Sequence, residues 1–231
     1  VDSEVMLGLV TRAGHSLTND PADADVIIVN TCAFIEAARQ ESVEAVLEMA
    51  AHKARPGVRL VVTGCLAERY GEALRREIPE IDVLLGTGEV PAIVSALTPD
   101  AGRGLGARAR RAGGLGDSAR PSPGGRARPR YLYDASTPRV LTTPRHYAYV
   151  KIAEGCNYGC SFCVIPALRG AYRSRRVASV VAEAERLAGG GVRELILISQ
   201  DTTFFGIDRG DRRALARLLT RLDRIAGLEW I

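Results

Sequence analysis

The chain has 231 residues, of which 46% are hydrophobic and 25% charged, and it carries a net charge of +4 at neutral pH. It has no uninterrupted apolar run near the roughly 18 residues that a membrane-spanning helix needs, and the acidic start Val1-Asp2-Ser3-Glu4 differs from the basic and then apolar pattern of a secretory signal. Five cysteines are too few, and odd in number, for a disulfide-rich secreted fold. We therefore expect a soluble cytoplasmic protein with reduced thiols.

The first region, residues 1–98, alternates predicted strands and helices. Val26-Ile27-Ile28-Val29 and Leu60-Val61-Val62 are continuous apolar runs, which are typical of strands buried on both faces of a sheet. One helix is predicted between them and a second from Glu68 to Glu77, where Pro79 would end it, and Asp82-Val83-Leu84 predicts a third strand. The apolar stripe of the first helix consists of Val43, Val46, Leu47 and Ala50. The alternation indicates an α/β fold with a doubly wound parallel sheet.

Two cysteines directly follow the first two predicted strands. Cys32 ends the run Asn30-Thr31-Cys32, and Cys65 ends the run Thr63-Gly64-Cys65. Because ligands bind at the carboxyl ends of strands in an open parallel sheet, the two thiols could share one site. The alternative is a buried, inert pair, since free cysteine often behaves as a small core residue.

Residues 99–130 form a predicted flexible linker. Between residues 103 and 130 lie eight arginines and one aspartate, so the positive charge of the chain is concentrated in this segment. A segment rich in Gly, Pro and Arg cannot bury enough apolar surface to order itself. An arm that folds on RNA is the alternative, although no aromatic residues are interleaved with the arginines.

The second region, residues 131–231, again alternates strands and helices. Strands are predicted at residues 147–152 and 195–198, and residues 228–231 look like the beginning of a third. The helix stripes between them are Val177, Val180, Val181, Ala184, Leu187 and Ala188, and then Leu215, Leu218, Leu219, Leu222 and Ile225. This repeat predicts part of a (β/α) barrel, in which chemistry takes place on the loops after the strands.

Cys156, Cys160 and Cys163 form a CxxxCxxC triplet after the first strand of this region. Three thiolates can hold three irons of a cubane iron-sulfur cluster, and the absence of a nearby fourth cysteine leaves one iron open to a small-molecule ligand. Structural zinc is the main alternative, but it usually takes four Cys or His ligands, and His146 lies ten residues upstream. A four-cysteine ferredoxin cluster would need another ligand. The triplet therefore indicates a catalytic cluster with an open iron.

The triplet and its flanks resemble the radical S-adenosylmethionine (SAM) enzymes and, within them, the methylthiotransferases. The resemblance rests on Phe162 before the last cysteine, on residues 149–155 before the triplet and on residues 165–175 after it. These segments are most similar to the branch that modifies ribosomal protein uS12 of the small subunit. The alternative enzyme is the branch that acts on a tRNA adenosine, and the alternative outside enzymes is a non-catalytic iron-sulfur or zinc module.

The resemblance implies a reaction, cofactors and partners. SAM would bind the open iron of a 4Fe-4S cluster on Cys156, Cys160 and Cys163, and an electron from an external donor would lead to a 5'-deoxyadenosyl radical. That radical would remove hydrogen from the β-carbon of an aspartate of uS12, where a methylthio group is then added. A second, auxiliary 4Fe-4S cluster would be held by Cys32 and Cys65 together with a third cysteine that this chain lacks.

Contacts to SAM are predicted on two loops. Gln200 and Asp201, in the run Ser199-Gln200-Asp201-Thr202-Thr203, are our candidates for binding the methionyl amine or the ribose hydroxyls. The alternative is that they cap the following turn and helix. The resemblance also places the adenine against the backbone near Phe162.

Three arginines follow the triplet, at Arg169, Arg173 and Arg175. They could bind the SAM carboxylate or an acidic substrate. The alternative is that they are only solvated, which is the usual state of exposed arginines.

We also expect the chain to be incomplete. Asp2-Ser3-Glu4 resembles a run that, in the family, follows the first strand and the third auxiliary cysteine, and Ile231 falls inside the predicted third barrel strand. The 231 residues alone are therefore predicted to be inactive, because their last strands would leave an unclosed sheet edge.

Overall fold

The computed structural model describes residues 1–98 and 131–231, and the predicted linker 99–130 lies outside the described residues. The chain divides into two compact units. One consists of Leu9–Tyr131, and the other of Val1–Gly8 together with Leu132–Ile231. The domain limits 1–98, 99–130 and 131–231 remain a prediction.

A three-stranded parallel sheet lies in the unit Leu9–Tyr131. Strands β1 (Val26–Thr31), β2 (Arg59–Gly64) and β3 (Val83–Leu85) stand in that order, with Thr31 opposite Gly64 at the carboxyl end of the first pair. The central strand β2 is almost wholly buried, as expected for a strand covered on both faces. The predicted parallel α/β sheet is therefore confirmed.

Helix α2 (Glu36–Ala50) connects β1 with β2. Its buried side chains are Ser42 and Val46, whereas Leu47 is 52% exposed. The predicted stripe is right at Val46 and wrong at Leu47, because Ser42 takes the inward position and hydrogen bonds to the backbone of Cys32.

Helix α3 (Cys65–Glu77) begins three residues before the predicted Glu68. The preceding residue, Gly64, has φ = +100°, a conformation that glycine adopts without steric cost and that lets the chain turn directly from β2 into the helix. The helix ends before Pro79, as predicted. A short helix, α4 (Ile93–Ala96), follows β3.

Helix α1 (Asp2–Arg12) was not predicted from the sequence. Its buried side chains include Glu4, Val5 and Met6, which mix a charged residue with apolar ones and lack a helical stripe. Glu4 is buried because it pairs with Arg139 (Nη2 to Oε2, 2.7 Å), a partner 135 residues away in the chain. No local pattern could reveal such a partner.

In the other unit, β4 (Tyr147–Lys151) pairs in parallel with β7 (Glu194–Ile198). Trp230 adds a parallel bridge to Glu194, and its carbonyl accepts a hydrogen bond from the N–H of Leu195 (3.0 Å). The predicted third strand at residues 228–231 is therefore represented by one bridging residue. The parallel pairing agrees with the start of the predicted (β/α) architecture.

Three helices and a short antiparallel strand pair complete this unit. The helices are α5 (Ile165–Arg169), α6 (Val177–Gly189) and α7 (Ala214–Leu222), and the strands are β5 (Ala153–Glu154) and β6 (Arg173–Ser174). The two-residue strands were not predicted, since they are too short to show a periodic pattern.

Short 3-10 helices occur in both units, at Pro21–Asp23, Ala51–Ala54, Val90–Ala92, Thr202–Phe204 and Ile207–Arg209. Within residues 1–98 and 131–231, no helix is long and apolar enough to span a membrane.

One hydrophobic cluster joins β4, β7, α6 and α7. Its buried members include Ala148, Val150, Val180, Val181, Ala184, Leu195, Leu218 and Leu222. The predicted stripe of α6 is confirmed at its centre. In α7, Leu218 is fully buried whereas Leu219 is 40% exposed, so the predicted stripe is wrong at Leu219.

Candidate functional site

The CxxxCxxC triplet lies on a loop between β5 and α5. Cys160 is exposed, Cys156 and Cys163 are partly buried, and none of the five cysteines of the chain forms a disulfide. The N–H of Cys163 donates to the carbonyl of Cys160 (3.1 Å), which folds the second half of the triplet into a turn. Phe162, before the last cysteine, is 89% exposed. The structure therefore presents three thiols on one solvent-facing loop.

Gly155 sets the direction in which the chain leaves β5. Its φ is +87°, and a Cβ added to it would lie 2.3 Å from the carbonyl oxygen of Ala171, so only glycine fits. The N–H of Gly155 donates to Oε1 of Gln200 (2.8 Å), and the N–H of Cys156 donates to the carbonyl of Gly170 (3.1 Å). The backbone at the first cysteine is thus held by the residue after α5 and by a side chain from the loop after β7.

A second connection to the loop after β7 runs through Tyr172, which the sequence analysis did not identify. Its N–H is donated to Oδ1 of Asn157 (2.9 Å) and its hydroxyl to the carbonyl of Asp201 (2.6 Å). Burial raises the pKa of Tyr172 to about 12, so the hydroxyl stays a donor at neutral pH. The ring of Phe204 lies edge-on to Tyr172 (centroids 4.9 Å apart) and to Tyr158 (6.4 Å).

The two candidate SAM-binding side chains have partners within the protein. Gln200 accepts the hydrogen bond from the cysteine loop. Oδ1 of Asp201 accepts from the N–H (2.9 Å) and the hydroxyl (2.7 Å) of Thr203, and these bonds lower the pKa of Asp201 against the opposing effect of burial. Asp201 therefore caps the 3-10 helix Thr202–Phe204, which was the alternative interpretation. Contact of Gln200, Asp201 and the backbone near Phe162 with SAM stays a prediction.

The three arginines after the triplet are built into the unit around the loop. Arg169 contacts Oε1 of Glu154 (2.9 Å), and Arg173 donates to a backbone carbonyl of its own segment (2.7 Å). Arg175, only 4% exposed, forms an ion pair with Glu183 (2.5 Å). The alternative that these arginines are merely solvated is therefore wrong.

Four charged side chains form a closed ring at the base of the cysteine loop, and we call Asp2, Lys151, Glu154 and Arg169 the charge ring. Lys151 contacts Asp2 and Oε2 of Glu154 (2.6 Å), and Arg169 contacts Oε1 of Glu154 (2.9 Å) and Oδ2 of Asp2 (3.8 Å). Burial alone would raise the pKa of Glu154, but the attraction of Lys151 and then Arg169 outweighs it and holds that pKa below its usual value. The ring is therefore fully charged at neutral pH.

The second pair of thiols lies in the unit Leu9–Tyr131, where two neighbouring parallel strands end. Thr31 and Gly64 are paired residues of β1 and β2, and Cys32 and Cys65 are the next residues along the chain. Cys32 is exposed and Cys65 is buried. The two cysteines therefore start from adjacent backbone positions at one edge of the sheet, as the strand assignments predicted.

The segment that carries Cys32 is fixed by two side chains that the sequence analysis missed. Oγ of Ser42 accepts from the N–H of Cys32 (2.9 Å) and donates to its carbonyl (3.0 Å). Nη1 of Arg69 donates to the carbonyl of Ala33 (3.1 Å). Helices α2 and α3 thus both hold the backbone next to this thiol.

The thiols of the triplet are not gathered around one point that a single metal ion could occupy. In the part of the chain that the structure describes, no group of three or more His, Cys, Asp or Glu side chains is placed to hold one metal ion. Each cysteine of a cubane binds a different iron, so its sulfur ligands lie farther apart than those of a zinc ion, which sit at about 2.3 Å from the metal. Binding of a cubane cluster by Cys156, Cys160 and Cys163 stays a prediction.

Comparisons with known proteins match the two regions of the chain separately. The profile of the uncharacterized protein family UPF0004 matches residues 1–86, and that of the radical SAM superfamily matches residues 150–228. Proteins called ribosomal protein uS12 methylthiotransferase RimO from Koribacter versatilis, Trichlorobacter lovleyi and Syntrophotalea carbinolica are 48%, 48% and 49% identical over 100% of this chain. The chain belongs to the radical SAM methylthiotransferase family.

The chain spans about half the length of those relatives, namely 51%, 48% and 48%. Two solved structures of the radical SAM methyltransferase TsrM from Kitasatospora setae are similar to it. The one with cobalamin and a [4Fe-4S] cluster bound has a TM-score of 0.59 at 17% identity and covers 95% of this chain and 48% of that one. The one with tryptophan and the SAM analogue aza-SAM has a TM-score of 0.52 at 18% identity, covering 94% and 42%. At such low identity the likeness shows the fold alone.

Proposed function

We propose that this methylthiotransferase chain adds a methylthio group to the β-carbon of an aspartate of ribosomal protein uS12. The observation that carries the proposal is the continuous identity, 48% and 49% over the whole chain, to proteins called by that activity. The free thiols of the exposed loop and of the sheet edge would supply the cysteine ligands for such chemistry. The partners would be uS12 and an external electron donor.

The CxxxCxxC triplet would hold a 4Fe-4S cluster whose open iron binds SAM. When bound there, the cluster supplies the electron that cleaves SAM. Gly155 and Gln200 hold the backbone directly before the first cysteine, and the exposed loop would leave its solvent side accessible to a small molecule. The backbone near Phe162 would contact the adenine, and Gln200 and Asp201 would bind the methionyl amine or the ribose hydroxyls.

Cys32 and Cys65 would contribute to an auxiliary 4Fe-4S cluster. They directly follow Thr31 and Gly64, which are paired across the sheet, and this placement supports binding of two metal atoms of one cluster. This second cluster would take part in sulfur delivery, as the family resemblance implies. The reducing cytoplasm is the compartment that keeps such thiols free to bind metal.

Anaerobic reconstitution tests the cluster assignment. A protein carrying this chain is loaded with iron and sulfide, reduced with dithionite and supplied with SAM. We expect an electron paramagnetic resonance signal of a cubane cluster and release of 5'-deoxyadenosine with methionine. Cys160→Ala should abolish SAM cleavage because two thiolates remain in the triplet, whereas Cys32→Ala should leave it intact. A protein without any cubane signal would overturn the proposal.

Mass spectrometry of uS12 tests the substrate assignment. In cells that express the protein, the uS12 peptide with the target aspartate should gain the mass of one methylthio group in place of one hydrogen. The tRNA nucleosides of the same cells serve as the control and should not change. Unmodified uS12 together with methylthiolated tRNA adenosine would replace the proposal with the tRNA branch.

A further inference from the structure

The charge ring joins the two elements that flank the cysteine loop. Glu154 is the last residue of β5, directly before the loop, and Arg169 is the last residue of α5, the helix that follows the loop. Their ion pair (2.9 Å) connects positions 15 residues apart in the chain. All three thiols of the triplet lie between these two positions.

We propose that the charge ring is a positioning device, which holds the cysteine loop in its metal-binding shape before any metal is bound. The inference rests on the proposed cluster function of the triplet. Fixing the backbone of a free loop costs roughly 1–2 kcal/mol of entropy per residue. If the elements that flank the loop are already held together by the fold, part of this entropy is lost during folding and not when iron binds. Such preorganisation favours cluster assembly.

The arrangement of the ring suits this role better than an isolated surface pair would. Each cation of the ring contacts two carboxylates and each carboxylate contacts two cations, so the four charges balance. Lys151 and Glu154 are only 7% and 6% exposed, and their attraction is therefore screened less by water and salt than that of exposed pairs. Removing one member would leave an unbalanced charge under the loop, which is costly in a buried setting.

Two backbone hydrogen bonds next to the ring report on the shape of the loop. They are the bonds from the N–H of Gly155 to Gln200 (2.8 Å) and from the N–H of Cys156 to the carbonyl of Gly170 (3.1 Å). One lies immediately after Glu154 and the other ends at the residue after Arg169. If the ring positions the loop, these amide hydrogens should lose protection when the ring is opened.

Hydrogen exchange of the cluster-free protein tests the inference. In Arg169→Gln we expect the amides of residues 155–163 to exchange about five- to tenfold faster, because loss of a partly buried ion pair lowers the local opening energy. Exchange of α6 should not change. Glu154→Gln opens the same pair from the other side and should give the same result, whereas Arg169→Lys keeps the charge and should restore most of the protection.

Lys53→Gln is the matched control. The Lys53–Asp82 pair (2.7 Å) is also partly buried, with side chains 24% and 31% exposed, but it lies in the other unit. This variant should leave the exchange of residues 155–163 unaltered.

Iron uptake gives a second readout. Arg169→Gln should incorporate iron and sulfide into the triplet more slowly than the unaltered protein, and Arg169→Lys should not. Unchanged exchange of residues 155–163 in both Arg169→Gln and Glu154→Gln would overturn the inference, whatever the cluster does. A different outcome is that the amides exchange faster in the variants but the unaltered protein never binds a cluster. That outcome would overturn the proposed function and leave the positioning of the loop by the charge ring intact.

Discussion

Gly155 occupies a position that admits no side chain. An alanine there would place its Cβ 2.3 Å from a backbone oxygen at φ = +87°, whereas Gly159, in the same loop, faces open space. We expect Gly155→Ala to lose most of its reconstituted iron and about 1–3 kcal/mol of stability, and Gly159→Ala to keep both. Iron analysis and thermal unfolding measure the difference. Equal behaviour of the two variants would show that the loop is not fixed at Gly155.

Glu4 is a buried acid whose charged form is stabilised by its neighbours. Its carboxylate accepts hydrogen bonds from Arg139 (2.7 Å) and from the N–H of Thr142 (3.0 Å). Burial acts to raise the pKa of Glu4, but these partners outweigh it and the pKa is lowered from the ordinary value of 4.5. A depressed folded pKa means that Glu4 contributes stability above the unfolded value, and that this stability is lost as the pH falls through the folded value.

Glu4→Gln should therefore lower the free energy of unfolding at neutral pH by about 2 kcal/mol or more, because Arg139 would keep Glu183 as its one carboxylate partner in the described part of the chain. The stability of the variant should also fall less steeply with acid below about pH 5. Urea unfolding at a series of pH values measures both effects. Glu41→Gln, on the exposed side of α2, is the control that should change neither.

The residues of the candidate site differ in how far the sequence could predict them. The triplet is local, so its ligand spacing is visible in the chain itself. Tyr172 and Asn157 were missed because their hydrogen bond depends on the pairing of β5 with β6. These strands are too short to be predicted from a periodic pattern in the sequence. The role of Gln200 in holding Gly155 was missed for the same reason, since these residues are 45 positions apart.

At the scale of elements, helix α7 buries one of two adjacent leucines and exposes the other. Leu218 is fully buried and Leu219 is 40% exposed. We expect Leu218→Ala to cost about 2–5 kcal/mol, the usual range for emptying a core site, and Leu219→Ala to cost less than about 1 kcal/mol. Chemical denaturation of the two variants provides the comparison. Similar losses would mean that α7 packs over a wider face than the structure shows.

The elements that the sequence predicted are those with a strong pattern of their own. Continuous apolar runs identified β1, β2 and β7, and the stripe of α6 marked that helix correctly. Helix α1 was missed because its buried face includes Glu4, which depends on a distant arginine. In α2, Ser42 lies inward and hydrogen bonds to the chain after β1, whereas Leu47 is exposed; such a polar inward position has no apolar signal in the sequence.

At the scale of the whole molecule, the two candidate clusters belong to different compact units. Substitutions of the cysteine ligands should therefore separate SAM cleavage from the methylthiolation of uS12. In a protein that carries this chain together with a third auxiliary cysteine, Cys65→Ser should retain SAM cleavage but give no methylthiolated uS12, while Cys163→Ala should lose SAM cleavage and keep the iron signal of the auxiliary site. Mössbauer spectroscopy with product analysis would measure this. Loss of both cluster signals in either variant would contradict independent sites.

Thr31 and Gly64 are paired at the carboxyl ends of β1 and β2. The register of the two strands therefore sets the distance between Cys32 and Cys65, the residues that follow them. Insertions or deletions in the connection through α2 would lengthen or shorten the route between the strands without changing the gap between Cys32 and Cys65. A slip of one residue within the ladder would instead displace one thiol by about 3.3 Å and turn it toward the opposite face. Length variation among relatives should therefore collect in that connection and spare the strands.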